Sequence, residues 1–151
     1  MNKKYAGYIN LKNLNGVLYP SSMQNIMMKD FITNELKGVF CLSPTEVLLA
    51  KYPITLKTLL AKETKVSGIV MLSSFYLPDD HQIRQKIYQE SIKNKKSLYF
   101  ILDELVFKNN KDIDTIETFL MFNNNFFTDI KKKLQLHEDE IVKINKKINF
   151  V

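Results

Sequence analysis

The run Val66-Ser67-Gly68-Ile69-Val70-Met71-Leu72 constrains the fold of this chain more than any other stretch. It is a short apolar run rich in Ile and Val, opened by Ser67-Gly68 and closed by Ser73-Ser74. Such a run reads as a strand buried on both faces. Pro78 follows where a helix can begin, with Asp79 and Asp80 in the first turn, where negative charge is favoured. Ile83, Ile87 and Ile92 then recur at near-helical spacing. In an open α/β sheet, ligands bind at the carboxyl ends of the strands. Ser73, Ser74 and Tyr76, in the loop after this strand, are therefore the first candidates for a site.

The same grammar runs through the chain. Tyr5 to Ile9 reads as a first strand, and the Asn-rich segment Asn10 to Tyr19 as the loop at its carboxyl end. Pro20-Ser21-Ser22 opens a helix that ends near Leu36, with Lys37-Gly38 as its stop. Val39 to Leu42 is apolar throughout and is expected as a second buried strand. Val47, Leu48, Leu49 and Tyr52 fit either one helical turn or an irregular patch, and a helix follows Pro53. Ser97 to Leu102 is a further strand closed by Asp103-Glu104, and Leu105 to Phe107 a short edge strand or an extension. Asp112 begins another helix, stopped by Asn123-Asn124-Asn125, and a last amphipathic helix is expected from Thr128 to Lys147.

Alternating strands and helices imply parallel strands with right-handed crossovers. The expected fold is a three-layer α/β sandwich with four to five mainly parallel strands, flavodoxin-like or resolvase-like. Residues 1–125 would form a single domain, with 126–151 as a C-terminal helical extension. At 151 residues the chain is one domain by size and needs no disulfide or metal staple. The single cysteine, Cys41, lies in an apolar run and is expected to be a small core residue in a reducing compartment. No apolar stretch follows the basic N-terminus and none reaches the length of a membrane span, so a cytoplasmic protein is expected.

The net charge of +6 invites a nucleic-acid reading, but Arg84 is the only arginine among 22 basic residues. Specific recognition of bases and phosphates leans on the planar, bidentate guanidinium. The clusters Lys131-Lys132-Lys133 and Lys143, Lys146, Lys147 fit a solvated helix face, or contacts to phosphate or anionic lipid. No specific nucleic-acid partner is expected. The four glycines form no phosphate-binding motif and the two histidines no zinc pattern, so neither cofactor nor metal is expected. His81, beside the central loop, fits an exposed first-turn residue or a general base.

What remains is a set of polar groups on strand-end loops that share one sheet edge. They are Asn10 and Lys12 after strand one, Ser43, Thr45 and Glu46 after strand two, Ser73, Ser74 and Tyr76 after strand three, and Asp103 and Glu104 after strand four. Gln24, Asn25 and Arg84, near helix starts, fall close to the same edge. Each suits a cap or a turn as well as a ligand; their convergence is what points to a site. Glu46 and Ser73 are the candidate catalytic residues and the others candidate ligand-binding residues.

Several short motifs carry a family resemblance. Gly7-Tyr8-Ile9, Asn15-Gly16, Pro20, Gln24-Asn25 and Lys29-Asp30-Phe31 resemble the opening of the small bacterial proteins called the sporadic carbohydrate cluster family. Ser43-x-Thr45-Glu46, Leu59-Leu60, Gly68-Ile69-Val70-Met71-x-Ser73-x-Phe75-x-Leu77-Pro78 and Asp103-Glu104 are similar to its later segments. The resemblance implies a role in surface-polysaccharide biosynthesis, such as lipopolysaccharide O-antigen or capsule. It also implies a sheet similar to the catalytic domain of serine recombinases, where a strand-one serine attacks DNA. Where the family's pattern has serines and an arginine, this chain has Asn10, Leu11 and Lys12, and so lacks the candidate nucleophile.

The expectation is a protein that acts on or binds a nucleotide sugar or sugar phosphate. The alternative is a non-catalytic module, working as a homo-oligomer or as the partner of a glycosyltransferase, and a recombinase-like DNA enzyme is a remote third reading.

Overall fold

The computed structural model of the chain describes residues 1–48, 51–124, 132, 133 and 135. Contacts divide it into two compact units, Met1–Ile116 and Glu117–Val151. The first holds a five-stranded sheet: β1 (Lys4–Gly7), β2 (Val39–Leu42), β3 (Gly68–Met71), β4 (Ser97–Phe100) and β5 (Leu105–Phe107). Its spatial order is β2-β1-β3-β4-β5, with β1 to β4 parallel and β5 antiparallel to β4. Helices α1 (Ser21–Asp30), α2 (Ile54–Leu60) and α3 (His81–Lys93) complete a three-layer α/β sandwich. Residues 111–124 are helical. The helix expected from Thr128 to Lys147 lies almost entirely outside the described residues.

β3 is the central strand that the run after Val66 predicts. All four of its residues are buried, because β1 and β4 flank it and helices cover its faces. Ile69, Val70, Met71 and Leu72 are completely inaccessible. The core continues into Leu56, Leu59 and Leu60 of α2 and Ile87 and Tyr88 of α3.

β2 departs from expectation. It is apolar but not buried: Val39 and Leu42 are 42% and 44% exposed, and Cys41 lies at the surface. The reason is topological, since β2 is the edge strand of the sheet. Tyr5 pairs with Phe40 and Ala6 with Leu42, so Cys41 is the extra residue of a β-bulge. A bulge leaves its extra residue out of the ladder and bends the edge.

One helix boundary also differs. α3 starts at His81, not at Pro78, because Ser74–Tyr76 form a 3₁₀ turn and Asp80 is the cap. The Asp80 carboxylate accepts from the backbone N–H of Gln82 (2.8 Å) and Ile83 (3.1 Å). The first helix ends where expected: α1 continues as a π-turn over Phe31–Glu35 capped at Leu36, and Lys37 takes the left-handed conformation (φ 51°). Gly38 serves a different end: a Cβ there would collide with the Tyr5 ring.

Candidate functional site

The chain leaves β1 for β2 on one side and reaches β3 on the other, so the strand order reverses between β1 and β3. A crevice at such a switch point is where open α/β sheets bind ligands. Here it is a cleft of about 770 Å³ at the carboxyl ends of β1, β2 and β3. Buried Tyr8, Tyr76 and Leu77 form its floor. Val47, Leu48 and Pro53 line one side and Pro78 and Ile83 the other, while Lys12, Lys51 and Asp79 bring charge to it.

The floor is built from β1 outward. After Gly7 the strand continues irregularly: Tyr8 N donates to Val70 O (2.8 Å), and pairing with the β2 side resumes between Ile9 and Thr45. Ile9 N donates to Pro44 O, and Glu46 N to Ile9 O. This local ladder brings Glu46 beside Tyr8. Tyr8 and Asn10, two residues apart on an extended chain, share a face. The Tyr8 hydroxyl donates to Glu46 Oε2 (3.0 Å) and accepts from Asn10 Nδ2 (3.2 Å). Asn10 Nδ2 also lies 3.5 Å from the Tyr76 carbonyl, and Asn10 Oδ1 accepts from Lys12 N (2.9 Å).

Glu46 is held by more than Tyr8. Its Oε1 accepts from the backbone N–H of Val47 (2.9 Å) and Thr55 (3.1 Å), and its Oε2 from that of Leu56 (3.1 Å). Thr55 and Leu56 belong to the first turn of α2, whose N–H groups have no partner within the helix. Glu46 is thus a cap reached from outside the helix, and it closes the loop between β2 and α2. Asp79, in the loop before α3, pairs with Lys12 Nζ (2.6 Å) across the cleft. Arg84 backs that loop by donating to the carbonyls of Pro78 (3.0 Å) and Asp79 (2.7 Å).

Burial sets the ionisation of the two floor tyrosines. Desolvation, reinforced by the charge of Glu46, pushes the Tyr8 hydroxyl far above its ordinary range. Desolvation, with a smaller contribution from Tyr19, pushes Tyr76 up to about 12. Both are neutral donors at physiological pH. The Tyr76 hydroxyl is buried with no hydrogen-bond partner among the described residues.

The expected site residues separate into groups. Asn10, Lys12, Glu46 and Tyr76 meet at the cleft. Ser73, Ser74 and Asp103 form a second cluster outside its lining. Ser73 Oγ donates to Asp103 Oδ1 (2.8 Å), and the Ser74 hydroxyl (2.6 Å) and backbone N–H donate to Asp103 Oδ2. Ser73 Oγ also accepts from Phe75 N (3.2 Å), which caps the 3₁₀ turn. Both serines are buried, and the cluster locks the β3 loop to the end of β4. Glu104 is exposed beside it in the left-handed conformation (φ 54°). Ser43 Oγ donates to Asn25 Oδ1 (2.6 Å), joining β2 to α1. Thr45 contributes its carbonyl to Thr55 Oγ1. Gln24 is completely buried beneath the loop it holds.

Sequence reasoning missed Tyr8, which sits in a strand read only as core. A hydroxyl near the end of an apolar strand was the available signal, because a buried Tyr O–H needs a partner. It also missed Asp79 as a cleft residue, assigning it to a helical turn that does not form.

No family model matches the chain, and no curated protein matches it. Among solved structures, it is similar to the N-terminal catalytic domain of TP901-1 integrase. The TM-score is 0.55 at 11% identity, over 85% of this chain and 99% of that one. The likeness is one of fold. It agrees with the resolvase-like sheet, in which a parallel core carries an antiparallel edge strand.

Proposed function

We propose that this chain binds an activated sugar, a nucleotide sugar or sugar phosphate, as a protein of bacterial surface-polysaccharide biosynthesis. The observation that carries the reading is the cleft over Tyr8, Asn10 and Tyr76 at the switch point of the sheet. An apolar-walled cleft with a few convergent polar groups suits a ligand that has both a ring face and hydroxyls. Lys12 at the mouth supplies a charge for a phosphate, and Asp79 an acceptor for sugar hydroxyls. The motif resemblance supports the polysaccharide context.

The geometry favours binding over turnover by the two residues that sequence singled out for chemistry. The Glu46 carboxylate is engaged by three backbone N–H groups and one hydroxyl, so its oxygens are taken up in holding the start of α2 and Tyr8. Ser73 is bound to Asp103 away from the cleft. The resemblance to serine recombinases implies a strand-one serine as nucleophile, and this chain has Asn10 at that position.

A thermal-shift screen against nucleotide sugars, nucleotides and sugar phosphates tests the reading. A ligand at about 100 times its Kd adds about 2.7 kcal/mol to stability, a rise of several degrees in Tm. Silence across the panel in a folded sample contradicts the reading and turns the search to a glycosyltransferase partner.

A further inference from the structure

We propose that a groove between α2 and α3, apart from the cleft, binds an oligophosphate anion, the di- or triphosphate chain of a nucleotide or of an inorganic polyphosphate. The groove holds about 470 Å³ and shares no lining residue with the cleft. α3 turns Ile87, Tyr88 and Ser91 into the core. That leaves Gln85 and Gln89, four apart, and Lys86 and Lys93, seven apart, along its outer stripe. Lys57 of α2 lines the other side, and Tyr52, two residues before that helix, completes the lining. Lys57 Nζ lies 5.4 Å from the centroid of the Tyr52 ring, within cation–π range, which holds it at the groove. Burial, and then the charge of Glu90, push the Tyr52 hydroxyl above its ordinary range, so it is a neutral donor at physiological pH.

Charge sets this groove apart from an ordinary solvated helix face. Its lining carries three lysines against one carboxylate, Glu90. Lys86 and Glu90 are four apart and Glu90 and Lys93 three apart, the spacings of helical ion pairs, yet neither pair closes among the described residues. Glu90 Oε1 instead accepts from Asn94 Nδ2 (3.0 Å). The ammonium groups of Lys57, Lys86 and Lys93 form no ion pair or hydrogen bond with any described residue. A concave surface lined by one sign of charge focuses the field and concentrates counter-ions. Three ammonium groups suit a flexible chain of phosphates, because each is a point charge that needs no bidentate geometry. Gln85, Gln89 and Tyr52 add neutral donors for its remaining oxygens. The proposal holds whatever fills the cleft.

Calorimetric titration of the full chain with inorganic tripolyphosphate tests it. The expected result is saturable one-to-one binding that weakens as salt rises and is about tenfold tighter than that of orthophosphate. Lys57→Gln, Lys86→Gln and Lys93→Gln each weaken it about fivefold, and the triple variant abolishes it. Lys29→Gln, the same loss of charge at an exposed position in the last turn of α1, leaves it within about twofold. Glu90→Gln removes the carboxylate of the groove, keeps an acceptor for Asn94 and tightens binding about threefold, a gain that a misfolded chain does not give. ATP separates the two sources of such a chain, and the part of its binding lost in the triple lysine variant belongs to the groove. If that part matches tripolyphosphate, the groove reads the phosphates alone. If it is tighter and Tyr52→Leu removes the difference, a nucleotide base lies on the Tyr52 ring. Absence of saturable tripolyphosphate binding overturns the proposal. So does binding that survives the triple variant, or that falls as far in Lys29→Gln as in the groove variants, because either assigns it to diffuse charge.

Discussion

The side-chain amide of Gln24 pairs with the backbone of Asn10 as a neighbouring strand would. Asn10 N donates to Gln24 Oε1 (3.2 Å) and Gln24 Nε2 donates back to Asn10 O (2.7 Å). The other Nε2 hydrogen goes to Tyr19 O (2.7 Å). One buried side chain from the first turns of α1 thus fixes both ends of the loop that begins the cleft.

Gln24→Ala leaves the Asn10 N–H and two carbonyls without their partner. It is expected to cost about 2–4 kcal/mol, read as a lower urea midpoint at unchanged slope. Gln24→Glu keeps the shape but loses both donor bonds and is expected to fall nearly as far. A cost below about 0.5 kcal/mol for either variant would show that the loop holds itself.

Lys96 is the second buried polar anchor. It is 4% exposed, and its ammonium donates to the carbonyls of Leu59 (2.7 Å), Ala61 and Thr64 around the C-terminal end of α2. Positive charge at a helix C-terminus is favourable, and three carbonyls there lose it in Lys96→Met. The expected loss is about 3 kcal/mol by urea denaturation, with cleft binding retained by the folded protein. A variant as stable as the parent would contradict the anchoring role.

The Tyr76 hydroxyl is buried without a described partner, so Tyr76→Phe removes a desolvation cost and no hydrogen bond. The variant is expected to equal the parent or gain up to about 1 kcal/mol in thermal or urea unfolding. Tyr8→Phe goes the other way by about 1 kcal/mol, because it breaks the bonds to Glu46 and Asn10. Equal losses in the two variants would contradict the assignment.

Alkaline pH separates the same residues. Burial holds Tyr76 up to about 12 and Tyr8 higher still, against about 10 for an unfolded tyrosine. Their contribution is complete below pH 10, where both states are neutral. As pH rises past about 10 the unfolded chain ionises and the native one does not, so stability falls through about 12 and beyond. Lys96 opposes this weakly: burial lowers its pKa, so deprotonation up to about 10.5 relieves a native-state cost. Urea midpoints near pH 9 and near pH 11 are expected to fall in the parent, and the fall to flatten in Tyr8→Phe and Tyr76→Phe. A midpoint independent of pH would contradict the burial of these hydroxyls.

Much of the fold was legible because burial on two faces writes itself as an unbroken apolar run, as at Ile69 to Leu72. What such a run does not record is which strand lies at the edge. Val39 to Leu42 reads as apolar as β3, yet it is the border of the sheet, and no local pattern marks Cys41 as a bulge. Asp80 as a cap rather than a first-turn residue depends on the 3₁₀ turn at Ser74, which competes with a helix opening at Pro78. The gathering of polar loops at one edge followed from strand alternation, and Asn10, Lys12, Glu46 and Tyr76 do converge there. The separate closure of Ser73, Ser74 and Asp103 was not legible, since it depends on the distance between two loops. Lys96 was hidden for a similar reason: one of many lysines, it is distinguished only by three carbonyls that come from elsewhere in the chain.

The central claim is that a phosphorylated sugar occupies the cleft over Tyr8 and Asn10. Amide chemical-shift mapping during titration with the best nucleotide sugar of the screen tests it most directly. The account predicts saturable shifts at Asn10, Lys12, Val47, Leu48, Leu77 and Asp79, none at Lys96, and their loss in Asn10→Ala. Shifts confined to Ser73, Ser74 and Asp103, or no shifts at saturating ligand, would contradict it.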